Sequence, residues 1–258
     1  MLDTVQNFYL AILWVLLSIT CLILLNRFWA PSRRRVHNDV IGWQISILGT
    51  IYAVMVGFML YAVWSNFQSA EGNADSEANA LINLFRSADG LPAAQRSAIQ
   101  IAAINYANAV ETQEWPTMSR DQTPRAGQPF VMQLWAITTQ SPVQNSSQQV
   151  SLHQAMSELS NLTEHRRIRI LESSSAMPTI LWTVLVIGGV ITIGSSCLIG
   201  SENVALHFAL ICALSLLISL ALIAIGDIDR PFQGSVHVTY GAFTRAQETM
   251  LSPGIVPK

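Results

Sequence analysis

Residues 40–70, VIGWQISILGTIYAVMVGFMLYAVWSNFQSA, run for 31 positions without an Asp, Glu, Lys or Arg. A helix rising about 1.5 Å per residue crosses the hydrocarbon layer of a bilayer in roughly 20 residues, so this stretch is long enough to span it and project beyond. Three further stretches are equally free of charge: residues 4–26 (23 residues), 173–201 (29) and 203–226 (24). The chain of 258 residues is 51% hydrophobic and 12% charged, and all of its charge lies outside these four stretches. The pattern is that of an all-α membrane protein with four transmembrane helices.

The spacing predicts transmembrane helices over 5–26, 40–67, 177–199 and 203–226. A basic loop, 27–39, joins the first two, an extramembrane helical domain, 68–172, separates the second from the third, and a C-terminal tail covers 227–258. Residues 1–6 include no Lys or Arg, and the first apolar run is longer than the core of a cleavable signal peptide, so it is expected to remain as a helix. The net charge of −2, with no basic stripe interleaved with aromatics, argues against a nucleic-acid partner. Cys21, Cys197 and Cys212 all fall inside predicted spans and read as small core hydrophobes rather than a disulfide or zinc framework.

The polar middle has helical periodicity. Ala74, Ala78, Leu81, Ile82 and Phe85 recur at spacings of three and four, continuing the second span out of the bilayer as a stalk to Asp89-Gly90, after which Pro92 opens another helix. Ile99, Ala103, Tyr106 and Val110 mark that helix, which Trp115-Pro116 should end. Residues 130–139 suggest a short helix. Leu152, Ala155, Leu159 and Leu162 begin a long one leading to the third span near Pro178. Sustained period-two alternation is absent, so no strands are expected. The tail shows no strong pattern.

Small residues recur at four-residue spacing within the spans: Gly49, Ala53 and Gly57 in the second, Gly188, Thr192, Ser196 and Gly200 in the third, Ala205, Ala209 and Ala213 in the fourth. In lipid, such positions let helix backbones approach closely, within or between subunits; Gly and Ala are also simply common in membrane helices. Catalytic chemistry is sparse. The five histidines form no metal-ligand spacing, no nucleophile triad order is present, and neither an enzyme activity nor a cofactor is expected. His207 is the ionisable residue within a span, one turn inside the fourth helix near Glu202, where an interfacial hydrogen-bonding role competes with a functional one. Asp227, Asp229 and Arg230 follow the fourth span as either an ion site or a structural network tying the tail to arginines such as Arg86 or Arg169.

From about Val36 to the tail the chain resembles the bacterial bestrophin-like family of unassigned function, which has a suspected kinship to bestrophin anion channels. The resemblance is carried by His37-Asn38-Asp39, by Leu84-Phe85-Arg86 with Asp89-Gly90-Leu91-Pro92, and by Glu114-Trp115-Pro116. It continues through Arg166-Arg167-Ile168-Arg169 before Met177-Pro178 and ends on Asp227-Ile228-Asp229-Arg230-Pro231-Phe232. The acidic calcium clasp of animal bestrophins is represented here only by Asp227 and Asp229. The kinship implies four membrane helices, a helical domain between the second and third, a ring-shaped homo-oligomer, with a pentamer expected, and a pore lined by the second helix and carrying an anion, chloride.

On a helix turning about 100° per residue, Gln44, Ile47, Ile51, Met55, Phe58, Ala62 and Ser65 cluster opposite the Gly49, Ala53 and Gly57 seam. That face is the expected pore lining, with Ile51, Met55 and Phe58 as an apolar neck; contact with lipid or with the other helices is the alternative. Bestrophins keep the domain after the second span in the cytosol. Here Arg27, Arg33, Arg34 and Arg35 in the short first loop favour that loop inside a bacterial inner membrane and the domain in the periplasm, against the pull of Arg166, Arg167 and Arg169 in a longer segment. The competing function is a non-conducting, membrane-anchored helical sensor or scaffold.

Overall fold

The computed structural model describes residues 2–252, with the side chains of residues 2–7 and 10 left aside. Met1, where the reading of the amino terminus begins, and residues 253–258 of the tail lie outside the described residues. The order is α1 (Leu2–Phe28), α2 (Pro31–Arg34), α3 (Asn38–Ser87), α4 (Ala93–Ala109), α5 (Trp115–Met118), α6 (Gln128–Thr139), α7 (Ser146–Ser173), α8 (Thr179–Cys197), α9 (Val204–Ile228) and α10 (Gly241–Leu251). Among the described residues there is no strand, as the missing alternation predicted. Helices α1, α3, α8 and α9 are long and apolar enough to cross a membrane.

Two compact units divide the chain: Met1–Ser65 with Ala176–Asp229, and Asn66–Ser175 with Arg230–Lys258. The 50-residue α3 contributes its first part to one and its second part to the other.

In the membrane unit, Leu22, Tyr52, Leu185, Ile211, Ile218 and Ile225 belong to one apolar cluster that joins α1, α3, α8 and α9. Buried polar side chains in this unit bond locally at two places: Ser215 Oγ donates to Ser18 Oγ at 2.8 Å, linking α9 to α1, and His207 bonds through Nε2 to the Ser196 carbonyl at 3.2 Å, while the Tyr52 hydroxyl has no partner among the described residues. The loop before α3 is locked onto the α8–α9 loop. Arg34, fully buried, donates Nη1 to the Cys197 carbonyl at 2.6 Å and Nη2 to Asn26, Arg35 pairs with Glu202, and Asn38 and Gly200 exchange two hydrogen bonds. Arg34 thereby caps one orphan carbonyl, that of Cys197, at the C-terminal end of α8.

The helical unit packs α4, α6, α7, α10 and residues 66–87 of α3. Two expectations are corrected there. The helix over Ile99–Val110 does not end at Trp115-Pro116: it widens into a π turn, Val110–Glu114, and resumes as α5 through Pro116. A widened turn moves the carbonyl four residues back away from the proline ring, so the proline no longer breaks the helix. The tail is also not patternless. Ala242, Phe243, Ala246 and Met250 form the buried stripe of α10.

Candidate functional site

The surface of α3 in the membrane unit is divided among three uses. Tyr52 and Val63 are buried against the other helices of the chain, with Val56 and Met59 packed beside them. Tyr52 seats on a pair of glycines: a Cβ on Gly188 would lie 2.8 Å from Tyr52 Cδ2, and one on Gly189 would lie 3.0 Å from Tyr52 Oη. Gly188 of the α8 small-residue pattern therefore serves a contact within the chain, and any side chain there would have to displace the Tyr52 ring.

The Gly49, Ala53 and Gly57 seam faces away from this contact. Among the described residues, no atom beyond the helix's own adjoining backbone lies within 4 Å of a Cβ built on Gly49 or Gly57, and Ala53 is exposed. Of the residues expected to line a pore, Gln44, Ile47, Ile51, Phe58, Ala62 and Ser65 are all exposed within the chain, Ile51 at 54% and Phe58 at 66%. Met55 differs. It is half-buried at the edge of the apolar cluster, with its Cε 3.9 Å from the Cβ position of Gly188.

Asp229 and Arg230 bond to different partners. Asp227 lies in the last turn of α9. Asp229 accepts from the Met177 backbone N–H at 2.8 Å and from Trp182 Nε1 at 3.4 Å, capping the break that precedes α8. Arg230 donates Nη1 to Asp121 Oδ2 and to Gln233 Oε1, each at 3.1 Å. Among the described residues no group of three or more His, Cys, Asp or Glu side chains is placed to hold a metal ion.

The helical unit holds a buried charge network that the sequence reading missed. Arg169 on α7 donates Nε to Glu77 Oε2 at 2.6 Å and Nη2 to Glu77 Oε1 at 3.0 Å, and Nη2 also reaches Glu114 Oε2 at 2.8 Å. Arg166, one turn earlier, donates Nη1 to the same Glu114 oxygen at 2.6 Å, while its Nε and Nη2 have no acceptor. The Tyr106 hydroxyl donates to Glu77, and the Gly127 N–H donates to Glu114 Oε1 at 2.7 Å. Two carboxylates and two guanidinium groups balance in charge, all buried.

Burial by itself pushes the Glu114 carboxyl up, but the hydrogen bond from Arg166 and the charges of Arg169 and Arg166 outweigh it and hold it below the usual carboxylate range. Tyr106 is pushed well up by burial and by the neighbouring Glu77 carboxylate, so its hydroxyl stays a donor. Gly127 admits the network. A Cβ there would lie 2.8 Å from Tyr106 Cε2 and 3.1 Å from Glu114 Oε1. Arg169 also lies 5.3 Å from the centre of the Trp115 ring, which is edge-on to Phe232 at 5.5 Å and donates Nε1 to the Val238 carbonyl at 2.9 Å. Beyond Trp115 opens a cavity of about 580 Å³, walled also by Glu111, Phe232, His237 and Tyr240.

A signal for the network existed. Glu77 falls on the Ala74, Ala78 and Leu81 stripe of α3, and Arg166 and Arg169 continue the Leu159 and Leu162 stripe of α7, so charged residues stand where the helical period demands apolar ones.

A family model described as a Bestrophin-like domain matches residues 12–243. Among solved structures, the chain is similar to a bacterial bestrophin homologue from Klebsiella pneumoniae. The form phased on zinc superposes with a TM-score of 0.69 at 13% identity, covering 95% of this chain and 97% of that one. Two single-substitution variants of that homologue give 0.71 at 13% identity, covering 95% and 98%, and 0.69 at 14% identity, covering 96% and 100%. At these identities the likeness is one of fold. No curated protein matches the chain by sequence.

Proposed function

Because this chain belongs to the bestrophin-like family, we propose that it assembles as a homo-oligomeric ring, a pentamer, and conducts an anion, chloride, along an axis lined by α3. In this reading α1, the first part of α3, α8 and α9 cross the bacterial inner membrane, and the ring is one heterologous contact repeated until it closes.

The observation that supports it is the three-way division of the α3 surface. One face, around Tyr52, is bound to the chain's own helices. A second, around Gly49, Ala53 and Gly57, is free of side-chain bulk and open, as a close contact with a neighbouring subunit requires. The third carries Gln44, Ile47, Ile51, Phe58, Ala62 and Ser65, all exposed within the chain. A helix at the inner wall of a ring needs these three uses together. Ile51 and Phe58, with Met55 at their edge, then form an apolar neck between the polar mouths Gln44 and Ser65, and such a neck excludes water until it widens. The four arginines of the first loop orient that loop to the cytoplasm and residues 68–172 to the periplasm.

The mass of the detergent-solubilised protein under native conditions tests the assembly. A single closed oligomer is expected. Monomers alone would contradict it, since one chain has too few helices to enclose a pore, and would favour a membrane-anchored sensor that uses the cavity beside Trp115.

A further inference from the structure

We infer that the cavity beside Trp115 binds a small organic cation, a primary ammonium group carried on an apolar body, with Glu111 as its counter-ion. All of its lining residues belong to the helical unit, and its volume of about 580 Å³ lies in the range of small-molecule sites, about 300–1,000 Å³. The floor is apolar and fixed beforehand. Trp115 and Phe232 are buried, the indole donates Nε1 to the Val238 carbonyl at 2.9 Å, and the Phe243 ring packs 5.7 Å from it. Tyr240, exposed, adds a further ring to the lining. A rigid floor of this kind takes up the hydrocarbon part of a ligand with little ordering cost.

The polar end of the ligand is selected by two acceptors. Glu111 is half-buried on the wall and accepts from Thr244 Oγ1 at 3.4 Å, and no cationic side chain of the described residues pairs with it. His237 bonds through Nδ1 to the Gly234 carbonyl at 3.2 Å; a carbonyl only accepts, so the proton is on Nδ1 and Nε2 of the neutral ring is an acceptor. The arginines that bracket residues 232–241 are engaged elsewhere, Arg230 with Asp121 and Arg245 with Asp75, each at 3.1 Å. Arg169 on Trp115 is balanced by Glu77 and Glu114. The N-terminal end of α10 at Gly241 brings about half a positive charge, less than the whole negative charge of Glu111, so the lining favours a cation. Residues three apart share a face of an α-helix, but the widened turn Val110–Glu114 spreads its two outer glutamates: Glu114 enters the buried network and Glu111 the cavity wall. Turns of this kind occur frequently at functional sites.

Equilibrium dialysis of the purified full-length protein in detergent against radiolabelled phenethylammonium tests the site, with uptake by protein-free micelles subtracted. Saturable binding of one probe per chain is expected. The neutral 2-phenylethanol and the anionic 3-phenylpropionate, of similar size, should each compete at least about tenfold less well than unlabelled phenethylammonium, the worth of one charge-assisted hydrogen bond. Glu111→Gln keeps the shape of the wall and removes its charge, and should weaken binding by about tenfold or more with the thermal melt unchanged. Ser119→Trp, at an exposed position of the lining, should block the cavity with no change of charge. The competition series on the wild type decides alone if neither variant folds. The site is independent of conduction along α3, because uptake of the probe and efflux of chloride are separate measurements. Absence of saturable uptake, a neutral or anionic analogue that competes as well as the amine, or wild-type affinity in folded Glu111→Gln would overturn the assignment.

Discussion

Arg169 and Glu77, 92 positions apart in the chain, meet through two hydrogen bonds of 2.6 and 3.0 Å with neither side chain exposed to solvent. The pair joins α7 to the second part of α3, and its geometry is the parallel fork that a guanidinium alone provides. Removing the cation leaves Glu77 unpaired in the interior, so Arg169→Met should cost about 3–5 kcal/mol of unfolding free energy. Arg169→Lys should not restore it, because an ammonium offers a point charge and cannot bridge Glu77 and Glu114 together. Denaturant titration of the purified variants measures both, and a lysine variant as stable as the wild type would contradict the bidentate account.

Glu114 gives the same network a pH dependence with a fixed sign. Burial raises its carboxyl, but Arg166 and Arg169 bring the folded-state value below the ordinary one of 4.5. The ionised side chain therefore contributes stability that is complete above that ordinary value and is lost as pH falls through the lower, folded-state value. The stability difference between wild type and Glu114→Gln should be constant above about pH 5 and shrink at lower pH. A difference that grows on acidification would show that burial dominates.

The elements were more legible than their interior. The charge-free runs exposed the membrane helices, and Ala74, Ala78 and Leu81 exposed the stalk, because helical period and span length are local properties of the sequence; the four-helix fold class follows from them, the bestrophin-like resemblance rests on motifs such as Glu114-Trp115-Pro116 and Asp227–Phe232, and both are borne out. The network was not read because each partner sits 52 to 92 positions from the other and because Arg and Glu default to the surface. Only their place on the apolar stripes betrayed them. Glu114 was further hidden by Trp115-Pro116, read as a helix end, since a π turn has no sequence period of its own. The stripe of α10 was present in Ala242, Phe243, Ala246 and Met250, but its length of 11 residues makes it easy to pass over.

The seam on α3 predicts a separation between assembly and folding. Gly57→Leu places a side chain in space open beyond the helix's own backbone, and Ala53→Leu enlarges an exposed position, so each monomer should keep its helix content while the oligomer loosens toward smaller species in native mass spectra. An intact oligomer in both variants would remove these residues from the subunit contact.

Orientation has a direct chemical test. Ser119 and Ser146 are exposed in the helical unit. Ser119→Cys and Ser146→Cys, each in a chain with Cys21, Cys197 and Cys212 replaced by Ala, should react with a membrane-impermeant maleimide in intact cells whose outer membrane has been permeabilised. Labelling that appears only after the inner membrane is broken would place the helical unit in the cytosol.

Chloride efflux from proteoliposomes measures whether α3 lines a conducting axis narrowed by Ile51 and Phe58. Wild type and the Ile51→Ala/Phe58→Ala double variant are compared at equal reconstitution, with the oligomer verified for each and protein-free vesicles as the baseline. Shortening the neck side chains removes apolar bulk from the narrowest point and should raise efflux by about tenfold or more over wild type, as wetting of a hydrophobic constriction requires. Efflux from wild type and double variant equal to that from empty vesicles, with the oligomer intact, would contradict conduction along α3.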